Sequence, residues 1–159
     1  MHVTDRTDYA LRVLLYLAAH DARASVSTVA AAYDISEAHL AKVAQALARE
    51  GFIETSPGRT GGMVLARDAA EITLGSVVRA LEPTALVECM GAENTCPAVG
   101  PCGLAGALAA ARDAFLASLD GVTLAQAARQ KRALRGRLDP AARIVPLRRD
   151  RGAQQRRGP

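Results

Sequence analysis

Three cysteines, Cys89, Cys96 and Cys102, fall within 14 residues, with six and five residues between them. An odd number of thiols this close together argues against a disulfide framework and points to a metal or redox site in a reducing compartment. Gly91, Pro97, Gly100 and Pro101 lie among them and can bend the backbone so that three thiolates converge. Soft thiolates select iron-sulfur clusters or zinc over hard cations. Spacing alone leaves three readings open: an iron-sulfur cluster, a zinc site that needs one further ligand, and inert thiols that behave as small hydrophobes. Catalysis by a cysteine is disfavoured, since the nearest histidines, His20 and His39, belong to another part of the chain. The expectation is a protein that is not an enzyme.

A second set of residues suits nucleic acid. Ser36, His39 and Lys42 lie at the start of a helix-like segment, and Arg59 lies in a glycine-rich turn downstream. Hydroxyl, imidazole and ammonium groups at the start of a recognition helix can reach base edges, while an arginine on a hairpin can meet phosphate. Each alone is equally an ordinary solvated side chain. Their joint placement is what makes them candidates. Glu37, between two of them, works against phosphate contact.

The elements that would position these groups are legible in the hydrophobic pattern. Leu11, Leu14, Leu15 and Ala18 form one stripe of a helix over 5–20, with Asp5 and Asp8 in its first turn. Ser27 can cap a short helix over 28–33, and Ser36 a third over 37–50, stopped by Gly51. The third helix would bury Leu40, Val43 and Leu47 and turn His39, Lys42, Gln45 and Arg49 outward. With the tight turn at Asp34 and Ile35, this reads as helix-turn-helix. Strand-like runs at 52–55 and 63–66 flank a loop rich in turn residues, which makes a hairpin wing. Thr73 can cap a helix over 74–82, ended by Pro83. Beyond the cysteines, Leu104, Leu108, Ala111, Phe115 and Leu119 form an apolar stripe with enough alanine for close packing against a partner. Asp120 and Gly121 break that helix, and Thr123 can cap a short last one to about residue 129.

The fold class is therefore mostly α with a small β-hairpin wing: a winged helix-turn-helix head over 1–83, a cysteine loop over 84–103, a dimerisation helix and short terminal helix over 104–130, and a basic tail over 131–159, read as disordered. The net charge of +4 conceals a division. Residues 1–128 carry 9 Lys/Arg against 14 Asp/Glu, whereas 129–159 carry 11 against 2. Such a tail suits either an arm for nucleic acid or a solvated terminus. No apolar run approaches the roughly 20 residues that span a bilayer, and Asp5, Arg6 and Asp8 stand where a signal peptide would be apolar. The expectation is a cytoplasmic protein without membrane contact.

Several short motifs occur here in a particular order. Thr7-Asp8-Tyr9-Ala10-Leu11-Arg12 opens the first helix, His39-Leu40-Ala41-Lys42-Val43 lies in the third, and Gly61-Gly62, Glu82-Pro83 and the three-cysteine loop follow. In this order and spacing the chain resembles the NsrR family of nitric-oxide-sensing repressors from residue 2 to about 129, with the IscR regulators as more distant relatives. The resemblance implies a homodimer on double-stranded DNA with an inverted-repeat operator, and an iron-sulfur cluster, 4Fe-4S in preference to 2Fe-2S. By position it implies Cys89, Cys96 and Cys102 as ligands, with Asp8 from the opposite subunit as the fourth, and nitric oxide as the signal. IscR-like chains place a histidine three residues after the last cysteine, where this chain has Ala105. Ala38 and Pro57 depart from the Asn and Arg common among relatives, which bears on the operator and not on the cysteines. An IscR-like 2Fe-2S sensor and a zinc-stabilised interaction module are the alternatives. Without the resemblance, Asp8 reads as a helix-dipole acid paired with Arg12.

Overall fold

A computed structural model of the chain describes residues 3–58, 61–83, 85–91, 94–98 and 100–140. Helix α1 (Asp5–His20) is the axis of the core. Its positions 10, 13, 14, 17 and 18 recur at helical spacing, and Ala10, Val13, Leu14, Leu17 and Ala18 are all at most 2% exposed. Burying one such leucine contributes about 1.5–3 kcal/mol, so this stripe fixes what packs around it. Helices α2 (Val26–Tyr33) and α3 (Glu37–Arg49) cross α1 as a helix-turn-helix, and Leu40, Val43 and Leu47 close the core from below. Asp34, in the left-handed conformation, and the bond from the Ile35 N–H to the Ala30 carbonyl make the turn between them.

The hairpin β1 (Ile53–Ser56) and β2 (Gly62–Leu65) pairs antiparallel, Ile53 opposite Leu65 and Ser56 opposite Gly62. A single-residue bridge from Ala24 to Met63 braces it against the helical core. Gly62 allows that contact, since a Cβ there would meet the Ala24 carbonyl oxygen at 2.7 Å. Helix α4 (Leu74–Leu81), capped by Thr73, leads through a short 3-10 helix (Glu88–Met90) to α5 (Gly103–Asp120). α4 and α5 lie so close that a Cβ on Gly75 would meet the Asp120 carboxylate at 2.1 Å. The Arg79 guanidinium grips that same carboxylate, donating from one nitrogen at 2.6 Å. Helix α6 (Leu124–Ala127) starts with a capping box between Thr123 and Gln126.

Two expectations need correction. The second helix begins at Val26, capped by Ser25, whose hydroxyl accepts from the Thr28 N–H at 3.0 Å. Both serines can cap, and Val26 packs against the core, which draws the start back by about half a turn. The chain from 131 is also not irregular throughout: α7 (Lys131–Leu138) docks on α1. Leu134 and Leu138, four residues apart, are its apolar seam, and arginines on either side mask that period in the sequence. Lys131 and Arg135 pair with Asp21, and the Arg135 Nε–H donates to the Ala19 carbonyl at 2.6 Å, satisfying an orphan acceptor at the end of α1. Residues 141–159 of the expected tail lie outside the described residues.

Candidate DNA-reading face and cysteine loop

On α3 the sequence expectation of an outward face holds. His39, Lys42, Gln45 and Arg49 are exposed, one turn apart, and Ser36 and Glu37 stand exposed at the helix start. Ser36 occupies the N-cap but its hydroxyl makes no capping bond. A cleft of about 580 Å³ separates α3 from the start of α1, with His39, Lys42 and Arg49 on one wall and Asp5, Arg6 and Tyr9 on the other. Arg6 was not singled out from the sequence, since only the crossing of α1 over α3 brings it to this face. At the wing, the Arg23 guanidinium donates to Ser56 Oγ at 2.9 Å and to the Gly62 carbonyl at 3.4 Å, holding the loop end of the hairpin. Arg59 lies outside the described residues.

The cysteines lie on neighbouring pieces of one loop. Cys89 is in the 3-10 helix, which packs against α5, and Cys102 is the N-cap residue of α5. Cys96 follows a turn in which its N–H donates to Asn94 Oδ1 at 3.1 Å. All three are free, Cys89 and Cys96 half-buried and Cys102 exposed. Among the described residues no three or more His, Cys, Asp or Glu side chains are grouped at metal-binding distance, so the three thiols do not converge. The donor set nonetheless suits a soft metal centre: three thiols within one loop. A carboxylate that the sequence reading passed over organises this loop. Glu88 Oε1 accepts from the Thr95 N–H at 3.1 Å and from the Thr95 hydroxyl. These two bonds, the hydroxyl's first, hold the Glu88 carboxyl below its ordinary value.

Asp8 is half-exposed on α1, and both its oxygens are engaged by Arg12, at 3.1 Å from Nε and 2.6 Å from the terminal nitrogen. The i,i+4 pairing read from sequence is therefore present. The Arg12 guanidinium also lies 5.9 Å from the Tyr9 ring centre and 5.8 Å from that of Tyr33, at the end of α2. One side chain thus links Asp8 to the helix-turn-helix. The first turn of α1 is fixed from the other side by Glu82, which accepts from the N–H and the hydroxyl of Thr4.

Helix α5 carries apolar residues on nearly every side, yet only Leu116 in it is buried. Leu108, Phe115 and Leu119 are half-buried beside α4, along the edge of the packed face, so the expected stripe is flank and not centre. The opposite surface exposes Leu104, Ala107, Ala110, Ala111, Ala114 and Ala117. No helix among the described residues is long and apolar enough to cross a membrane.

The family model described as an iron-dependent transcriptional regulator, Rrf2, matches residues 3–130. The chain belongs to the Rrf2 family. Among its Rrf2 relatives is the HTH-type transcriptional regulator NsrR of Geobacillus kaustophilus, 45% identical over 142 residues, which span 87% of this chain and 97% of that protein. The Rrf2 fold is shared with CymR, the global cysteine regulator of B. subtilis, at a TM-score of 0.67 and 26% identity, covering 82% of this chain and 98% of that one. It is shared equally with T. potens IscR, at a TM-score of 0.67 and 21% identity over 82% and 88% of the two chains, a likeness of fold alone. One fold thus serves proteins described in different terms, so function has to be argued from the site and not from the fold.

Proposed function

We propose that this Rrf2-family protein is a repressor that binds an inverted-repeat operator as a homodimer and responds to nitric oxide through a 4Fe-4S cluster held by Cys89, Cys96, Cys102 and Asp8 of the partner subunit. The observation that carries the reading is the confinement of all three thiols to one loop between α4 and α5, in a chain 45% identical to a protein named NsrR. A bound cluster supplies iron atoms that nitric oxide can attack, most readily where a hard oxygen ligand holds one less firmly than thiolate does.

The protein's own residues supply the coupling. Both Asp8 oxygens accept from Arg12, and each keeps a further lone pair, so ligation would draw on the same carboxylate that Arg12 holds. Arg12 lies beside Tyr9 and Tyr33, so a shift of that carboxylate would pass through it to α2. From α2 it passes through the Asp34 turn to α3, where Ser36, His39 and Lys42 are offered to base edges and Arg59 of the wing to phosphate. The exposed alanine surface of α5 suits the homodimer, because small side chains let two helices approach closely and an apolar helix with one partnered side needs a second. Two recognition helices related by a twofold axis read half-sites about 34 Å apart, one turn of DNA.

Anaerobic mass spectrometry of the intact dimer tests this. The expected mass carries four irons and four sulfides per chain. Two of each would make the protein an IscR-like sensor, and zinc would make it a zinc-stabilised module. DNase footprinting of the loaded protein should protect a palindrome; protection of a single half-site by a monomer would overturn the dimeric reading.

A further inference from the structure

Glu88 immediately precedes Cys89, and Thr95 immediately precedes Cys96. The two bonds from Thr95 to Glu88 therefore join the peptide segments that carry two of the three thiols, drawing the loop together at its neck. We propose that Glu88 and Thr95 form a staple that holds the Cys89 and Cys96 segments side by side in the metal-free protein, so that cluster assembly begins from a part-formed site.

Three features of the loop support a dedicated positioning role. First, the acceptor is a carboxylate and one donor is a backbone N–H, a charge-assisted pairing that fixes main chain and not only a side-chain tip. Second, the segment on each side is independently ordered. Met90 and Gly91 close the 3-10 turn through bonds to the Val87 and Glu88 carbonyls, and Cys96 is set by the Asn94 turn, so the staple joins two small rigid pieces. Third, the 3-10 helix leans on α5, so fixing Thr95 to Glu88 ties the Cys96 segment to a piece of the loop that is itself anchored on the helical body. Ordering a loop of this length only after metal arrives costs conformational entropy at every residue fixed. A staple meets part of that cost in advance and raises the rate at which the second thiolate follows the first.

The inference rests on the cluster reading, and its test separates the two. The test uses the full chain in metal-free form, with the alkylation rate of each cysteine by iodoacetamide followed by peptide mass spectrometry. Opening the staple should expose the half-buried pair: E88A should alkylate Cys89 and Cys96 about threefold to tenfold faster, the span that the loss of exposed charge-assisted bonds implies, with Cys102 unchanged. T95V keeps the Glu88 charge and removes one bond, so it should shift the same two cysteines, and T95S should restore the original rates. E88Q keeps an acceptor without the charge and should fall between. Iron and sulfide supplied anaerobically should then build the final absorbance near 400 nm more slowly in E88A, by a similar factor, with the same end spectrum.

Equal alkylation of all three cysteines in E88A and the original protein would overturn the staple, as would identical rates in E88Q and E88A with no effect of T95V, which would reduce the effect to charge. If the alkylation pattern holds and no iron is taken up by the original protein, the staple stands and the cluster reading fails.

Discussion

Glu82 at the end of α4 and Thr4 at the cap of α1, 78 residues apart in sequence, are joined by two hydrogen bonds of 2.7 Å each into one carboxylate oxygen. The Thr4 carbonyl in turn accepts from the Asp8 N–H at 2.9 Å. The first turn of α1 is thus held by the residue from which the chain departs toward the cysteine loop. Glu82→Ala should cost about 1 kcal/mol, the worth of an exposed charge-assisted bond, and should speed amide exchange at Asp8 more than at Leu14. Uniform exchange along α1 in this variant would show that Glu82 does not hold that turn.

Asp8→Ala separates two roles. As a dipole acid paired with Arg12 it should cost about 0.3–1 kcal/mol in α1 and nothing more. As the fourth ligand, its loss should leave a cluster on three cysteines with altered absorbance, altered circular dichroism, a changed rate of reaction with nitric oxide and weaker operator binding. An unchanged spectrum with unchanged kinetics returns Asp8 to the dipole role.

The docking of α7 should respond to acid. Lys131 holds the Asp21 carboxyl below its ordinary value, chiefly through their hydrogen bond, and Arg135 adds its charge. A group whose value is depressed by folding stabilises fully above its unfolded value, about 3.9 for Asp, and loses that contribution as pH falls through the lower folded value. Protection of α7 amides, corrected for intrinsic exchange, should hold from pH 7 to about 4 and decline below. Asp21→Asn should flatten that profile. A flat profile in the unsubstituted protein would mean that Leu134, Leu138 and the Arg135 bond to Ala19 suffice.

The alanine surface of α5 makes a steric prediction. Ala114→Arg places a long charged side chain on the exposed side, away from α4, so the head should keep its helicity and melting temperature as a monomer. Sedimentation should show the dimer lost and operator affinity reduced by at least an order of magnitude, as half-sites bind singly. A dimer that survives this change uses another surface.

The head was readable because its signals are local. The caps at Thr73 and Thr123, the spacing of Leu40, Val43 and Leu47, and the hairpin each specify an element within a few residues and appear in the structure, while the cap of α2 lies at Ser25 and not Ser27. What escaped had one of two causes. α7 hides two leucines among arginines, so its composition outweighed its period, and its partner Asp21 is 110 residues from Lys131. Glu82 and Glu88 carry no signature as single acids; their partners are set by tertiary contact in one case and by the loop's own curvature in the other. The number and spacing of the cysteines left a cluster, a zinc site and inert thiols open, and their arrangement depends on the path of the loop, which spacing does not determine.

α1 is an unbroken helix with one face in the core, and two carboxylates paired with cations stand toward its opposite ends. Asp8 and Asp21 are 13 residues apart, about 20 Å at 1.5 Å per residue. Over that length, a tilt of about 5° at the Asp8 end would displace the Asp21 end by nearly 2 Å, on the order of a helix shift at an interface. Asp21 touches α7, and Arg23 two residues on grips the wing. Such a tilt would therefore reach the loop end of the hairpin and the foot of the basic helix together, as one mechanical output.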